Sequence, residues 1–191
     1  MIMEESKFLK YQAAPYLELH DYKPPKGINS YFVQMDDGIK IRVCHWINNS
    51  KETKGTVLLQ QGHNEFIEKY YETIQEFLNR NYCVIAFDWR GQGMSEHEID
   101  DIHKAYIKDF KRHDRDLKYI LDEIIENNFP KPLIGLGHSM GGCLMLSAFH
   151  DHPGRFSYGI LSAPMLGFKN ERFLRAASSL MNVFKKDTDY L

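Results

Sequence analysis

Residues 132–143 read Pro132-Leu133-Ile134-Gly135-Leu136-Gly137-His138-Ser139-Met140-Gly141-Gly142-Cys143. An apolar run predicts a buried strand, the glycines a tight turn, and Cys143 to His150 a helix. Gly137 to Gly141 fit Gly-x-Ser-x-Gly, the strand–turn–helix elbow that lifts a nucleophilic serine to the tip of a sheet. So sharp a turn needs small residues two before and two after the serine. Gly137 and Gly141 meet that need, because without a Cβ the strand and helix can approach closely. Ser139 is then expected at the strand tip with its hydroxyl exposed, beside a helix N-terminus whose partial positive charge favours an oxyanion.

Working outward, Thr56–Gln60 and Tyr82–Phe87 are short continuous apolar runs, as expected of strands buried on both faces. Each ends in a polar loop, Gln61-Gly62-His63-Asn64-Glu65 after the first and Asp88-Trp89-Arg90-Gly91-Gln92-Gly93-Met94-Ser95 after the second. Between them Tyr71, Ile74, Phe77 and Leu78 recur at helical spacing and predict a helix over 68–79. Phe110, Leu117, Ile120, Leu121, Ile124 and Ile125 predict a long amphipathic helix over 103–128, closed by Pro130 and Pro132. The charged run from Lys108 to Lys118 reads as its solvated face. Upstream, Tyr31–Met35 and Ile39–Ile47 flank an Asp-Asp-Gly turn and predict an opening hairpin. Residues 1–28, broken by Pro15 and Pro24-Pro25, read as irregular. Downstream, Tyr158–Ala163 reads as a strand ended by Pro164, and 170–184 has helical spacing. Strands alternating with helices imply a mainly parallel sheet covered on both faces, with ligands at the carboxyl ends of its strands. The loops after residues 60, 87 and 138 all fall at that edge.

The 191 residues carry a net charge of −2, which gives no argument for nucleic acid as a partner. Cys44, Cys83 and Cys143 are scattered, with neither a disulfide framework nor a metal-ligand spacing, and suit a reducing cytoplasm. The first residues lack a basic region followed by an apolar run, so no signal peptide is expected. No stretch has the apolar length of a membrane-spanning helix.

Taken together, Gly137 to Gly142, Asp88 to Ser95 and Gly62 to Tyr70 resemble the α/β-hydrolase superfamily, and within it the lysophospholipase L2 and monoacylglycerol lipase-like, serine aminopeptidase S33-type branch. The resemblance covers roughly residues 28–190. It implies that Ser139 is the nucleophile, and that the backbone amides of His63 and Met140 form the oxyanion hole. It implies that Asp88 and Arg90 brace the site rather than react. The family's His-Gly pair here reads Gln61-Gly62, a departure that leaves the backbone donor in place. In the family the triad acid and base follow the serine on later strands. Here the only later histidines are His150 and His152, at the end of the elbow's own helix, where they should point away from Ser139. No triad acid or base is assigned.

These readings divide the chain into an irregular segment (1–27), a hydrolase core (28–168) and the start of lid helices (169–191). The C-terminal strands and most of the lid are expected to be missing, as in a chain truncated at its C-terminus. The expected activity is that of a serine ester hydrolase acting on a small acyl ester or a lysophospholipid. No metal, organic cofactor or obligate protein partner is implied. The expected location is cytoplasmic, with peripheral contact to a membrane. Two alternatives stand: an inactive remnant or non-catalytic binding module, and a peptidase or thioesterase on the same fold. His138 is expected to hydrogen-bond structurally, and His45, His97, His103 and His113 to sit at the surface or in the core without chemistry.

Overall fold

The computed structural model describes residues 5–104 and 106–167. Its centre is two parallel strands, β4 (Gly55–Gln60) and β6 (Leu133–His138), hydrogen-bonded to each other from Thr56↔Leu133 to Gln60↔Gly137. β4 is buried along its whole length. Alternate side chains therefore fill two different cores: Leu58 faces one, Val57 and Leu59 the other. β5 (Tyr82–Phe87) repeats the pattern, sending Ile85 and Phe87 to the first core and Val84 and Ala86 to the second.

With β1 (Gln12–Ala13), β2 (Ile28–Gln34), β3 (Lys40–Trp46) and β7 (Tyr158–Ser162), the sheet runs in the order β1-β2-β3-β5-β4-β6-β7. The pairings β4 to β5, β4 to β6 and β6 to β7 are parallel. β2 and β3 form the expected antiparallel hairpin, and β3 joins β5 antiparallel. α1 (Tyr71–Asn79) packs Tyr71 and Ile74 into the second core. α2 (Lys111–Tyr119) and α3 (Met140–Asp151) cover the first core with Leu117, Leu144, Met145 and Ala148. This is the expected α/β-hydrolase layering.

Several elements depart from the expectations. The helix expected over 103–128 begins only at Lys111, where the Asp109 carboxylate accepts the Lys111 amide at 3.0 Å and competes with earlier helix formation. Phe110, expected in the apolar stripe, precedes the helix and is 43% exposed. From Ile120 to Ile125 the helix widens by one residue per turn, with the Glu126 amide bonding to the Leu121 carbonyl at 3.0 Å. The charged run is not simply a solvated face, because His113 and Asp116 within it are buried. The N-terminal segment is not wholly irregular: it contributes β1, and Phe8 enters the first core. The helix expected from 68 opens as a tight turn (Ile67–Tyr70) before α1. α3 starts at Met140 and β2 at Ile28, each three residues earlier than the sequence suggested. The helical spacing at 170–184 and the lid expected at 169–191 lie outside the described residues.

Among the described residues β7 pairs on one side only, with β6. Tyr158 and Ile160 on it remain 65% and 43% exposed. No helix among the described residues is long and apolar enough to cross a membrane.

Candidate active site

β4, β5 and β6 point the same way, so the loops that leave them meet at one edge of the sheet. At that edge the chain turns from β6 into α3 through Ser139, whose φ is +51° and ψ −115°. This is a strained conformation for a side-chain-bearing residue, costing on the order of 1–3 kcal/mol. The surroundings enforce it. The Ser139 amide donates to Ser162 O of β7 at 3.0 Å, and its carbonyl accepts from Met165 N at 2.9 Å and Cys143 N at 3.2 Å.

The two elbow glycines have steric reasons. A methyl group at Gly137 would lie 2.6 Å from Gly141 O and 2.7 Å from Gly142 N. One at Gly141 would lie 2.5 Å from the carbonyl oxygens of both Gln60 and Gln61. All of these are backbone atoms, so no side chain can swing aside. Gly62, at the end of β4, closes the third side: a methyl there would stand 3.1 Å from Ser139 Cβ. The structure therefore brings Ser139, Gly62 and the start of α3 together, as the sequence predicted. Met140 is buried and opens α3, and His63 follows Gly62 as an exposed residue.

Beneath this edge lies a buried charge cluster. Arg42 on β3 is fully buried and forks between Glu68 and Asp88, with contacts of 2.6 Å to each carboxylate. Asp88 Oδ1 also accepts from Gln61 Nε2 at 3.1 Å and Ile67 N at 3.0 Å, and Oδ2 from Met94 N at 2.9 Å. Burial pushes the Asp88 carboxyl up, to about 6, against the pull of Arg42. For Glu68 burial also acts upward, but its bonds from Arg42 outweigh it and hold the carboxyl below its ordinary value. Arg90 is tied to Asp116 at 2.7 Å, and to Asp37 and Glu98 at 2.8 Å. With every donor and acceptor so committed, Asp88 and Arg90 join loops together rather than face solvent.

The histidines divide clearly. His138 turns its Nδ1 to Ser162, 3.2 Å from the carbonyl and 3.4 Å from the hydroxyl. His150 lies in the last turn of α3 and His152 caps it, about 16 Å and about 20 Å respectively along the helix axis from Ser139 at 1.5 Å per residue. His113 packs edge-on against Trp89 and Phe110, and burial lowers it to about 4. His45 is buried against Tyr31 and Phe8, which lowers it to about 3. Among the described residues the Ser139 hydroxyl has no hydrogen-bond partner. No group of three or more His, Cys, Asp or Glu there could hold a metal ion.

Sequence reading missed Arg42, Glu65 and Gln92. Arg42 carried a readable signal: it is a charge on the same face of an alternating strand as Cys44 and Trp46. Gln92 carried none, because it meets the loop after β4 only through tertiary contact.

Residues 51–189 match the family described as serine aminopeptidase, S33. The chain belongs to this family of α/β-hydrolases. It is 30% identical over 128 residues to a monoacylglycerol lipase of Mycolicibacterium smegmatis, covering 66% of this chain and 43% of the relative. It is 24% identical over 155 residues to a probable lysophospholipase L2 of Haemophilus influenzae, covering 80% and 49%. Its fold is similar to that of a soluble variant of monoglyceride lipase from Saccharomyces cerevisiae bound to a substrate analog. There the TM-score is 0.66 at 22% identity, covering 89% of this chain and 56% of the other. The chain thus spans about half the length of the relatives it matches, or less.

Proposed function

We propose that Ser139 is the nucleophile of a serine ester hydrolase acting on acylglycerols or lysophospholipids. The observation that carries the reading is the strained Ser139 at the carboxyl edge of β6, with Gly62 against its Cβ and the α3 amides behind it. In this reading the hydroxyl attacks an ester carbonyl, and the His63 and Met140 amides hold the resulting oxyanion. Asp88 and Arg90 brace the loops that carry those donors. None of the described histidines hydrogen-bonds to the Ser139 hydroxyl, and in this reading the base that takes its proton comes from outside the described residues. The proposed location is cytoplasmic, with peripheral contact to a membrane through which a lipid substrate would enter. The family resemblance and the names of the relatives support the substrate class.

The test is labelling with an alkyl fluorophosphonate, followed by peptide mass spectrometry. Stoichiometric modification of Ser139 over hours, absent in Ser139→Ala, is the expected result. Rapid turnover of a nitrophenyl ester by the 191-residue chain would overturn the statement that its base lies elsewhere. Cleavage of an aminoacyl nitroanilide in preference to an acyl ester would favour the peptidase alternative.

Among the described residues the outer edge of β7 is unpaired, which favours a second reading, a non-catalytic binding module or remnant. It predicts a non-cooperative melt and strong binding of an apolar dye. A cooperative melt with little dye bound would remove it.

A further inference from the structure

Three consecutive amides pass through the loop beside Ser139, and two of them are occupied. Gly62 N donates to Glu65 Oε2 at 2.8 Å. Asn64 N donates to Gln92 Oε1 at 2.5 Å, across to the loop after β5. The His63 amide between them has no acceptor among the described residues. Asn64 adopts φ +56°, which turns the chain back so that Glu65 can reach Gly62. Both ends of the loop are pinned to one atom, Asp88 Oδ1, through Gln61 Nε2 and Ile67 N.

Glu65 is held in turn. Tyr70 Oη donates to its Oε2 at 2.6 Å and Lys69 Nζ to its Oε1 at 2.7 Å. Burial raises the carboxyl, but these bonds and that from Gly62 outweigh it and bring the group down to about 2. It is therefore ionised at neutral pH, and an ionised acceptor makes the stronger bond to an amide. It is also near the serine: the point where a Gly62 methyl would stand is 2.9 Å from Glu65 Oε2 and 3.1 Å from Ser139 Cβ. A bare carboxylate there would oppose an oxyanion. Lys69 supplies the compensating charge.

We propose that Glu65 and Gln92 are positioning residues that take the amides on either side of His63, leaving the His63 N–H as the free oxyanion donor beside Ser139. This rests on the acyl-transfer reading of Ser139. Neither residue touches the substrate; each acts through the loop backbone.

The experiment is amide hydrogen exchange resolved by 15N NMR on the 191-residue chain, with fluorophosphonate labelling run in parallel. In the wild type, Gly62 and Asn64 should exchange slowly and His63 quickly. Glu65→Ala should speed Gly62 at least about tenfold while Leu58 and Ile85 in the sheet stay unchanged. The maximal labelling rate of Ser139 should fall about tenfold or more, with half-saturation by the probe within twofold. Glu65→Gln, which keeps an acceptor oxygen, should recover part of both. If Glu65→Ala also strips protection from the strands, Tyr70→Phe decides: it leaves the carboxylate but removes one of its anchors, and should speed Gly62 selectively. Equal exchange at Gly62 and His63 in the wild type overturns the proposal. So does a freed Gly62 with an unchanged labelling rate. A wild-type Ser139 that never labels overturns the acyl-transfer reading instead, and the exchange pattern alone then decides whether Glu65 and Gln92 hold the loop.

Discussion

Arg42→Met removes the one cation from a cluster in which Arg42, Glu68 and Asp88 are all at most 2% exposed. Methionine fills much of the volume, so lost packing is a minor part of the effect. What remains is two carboxylates deprived of their partner. Breaking a buried pair by removing one member costs about 3–5 kcal/mol. For a chain of this size, each kcal/mol shifts the melting temperature by about 2–4 °C, so a fall of roughly 6–20 °C follows. The pH dependence makes the prediction specific. Without Arg42 both carboxyls gain protons more readily in the folded state, and a protonated buried carboxyl carries little penalty. Their folded pKa values then stand above the unfolded ones, so the mutant regains stability as pH falls toward 5. In the wild type the two carboxyls differ in sign: Asp88, raised to about 6, also gains stability as pH falls, whereas the lowered pKa of Glu68 contributes stability above about 4.5 that is lost in more acid solution. Thermal melts by circular dichroism at pH 7.5 and pH 5 measure both proteins. The gap between them should shrink by at least half. A gap of the same size at both pH values would refute the assignment of the cost to unpaired carboxylates.

Ser139→Gly should raise the melting temperature by a few degrees, because glycine adopts φ +51° without the strain that serine carries; a lowered midpoint in a calorimetric scan would count against a strained elbow. His113 is held neutral with its pKa lowered to about 4, so it contributes stability above its unfolded value of about 6.5 that is lost as pH falls toward 4. At about 1.4 kcal/mol per unit this is on the order of 3 kcal/mol. His113→Phe should flatten that part of the stability–pH curve relative to wild type, and urea titrations at pH 7 and pH 4.5 would show an undiminished slope if the reasoning is wrong.

Local pattern determined a good deal of this protein. The apolar runs at 56–60 and 82–87 and the elbow at 137–141 are continuous in sequence, and each specifies its strand or turn through nearest-neighbour chemistry alone. Their order alone places three polar loops at one edge of the sheet, because parallel strands must share a carboxyl end. What the pattern could not determine depends on pairs of residues far apart in the chain. The start of α2 turned on the Lys111 amide donating to the Asp109 carboxylate, and the burial of Asp116 within a charged run turned on Arg90, 26 residues away. Arg42 becomes intelligible only when β3, β5 and the turn at Ile67–Tyr70 are folded around it. The loop amides beside Ser139 show the division most plainly. The sequence named the loop, through a glycine, and a resemblance suggested His63 as its donor. Which amides are taken and which is free was decided by Glu65, Gln92 and Asp88, because a hydrogen bond depends on direction and on a partner's position in space, and neither is written in the spacing of residues along a chain.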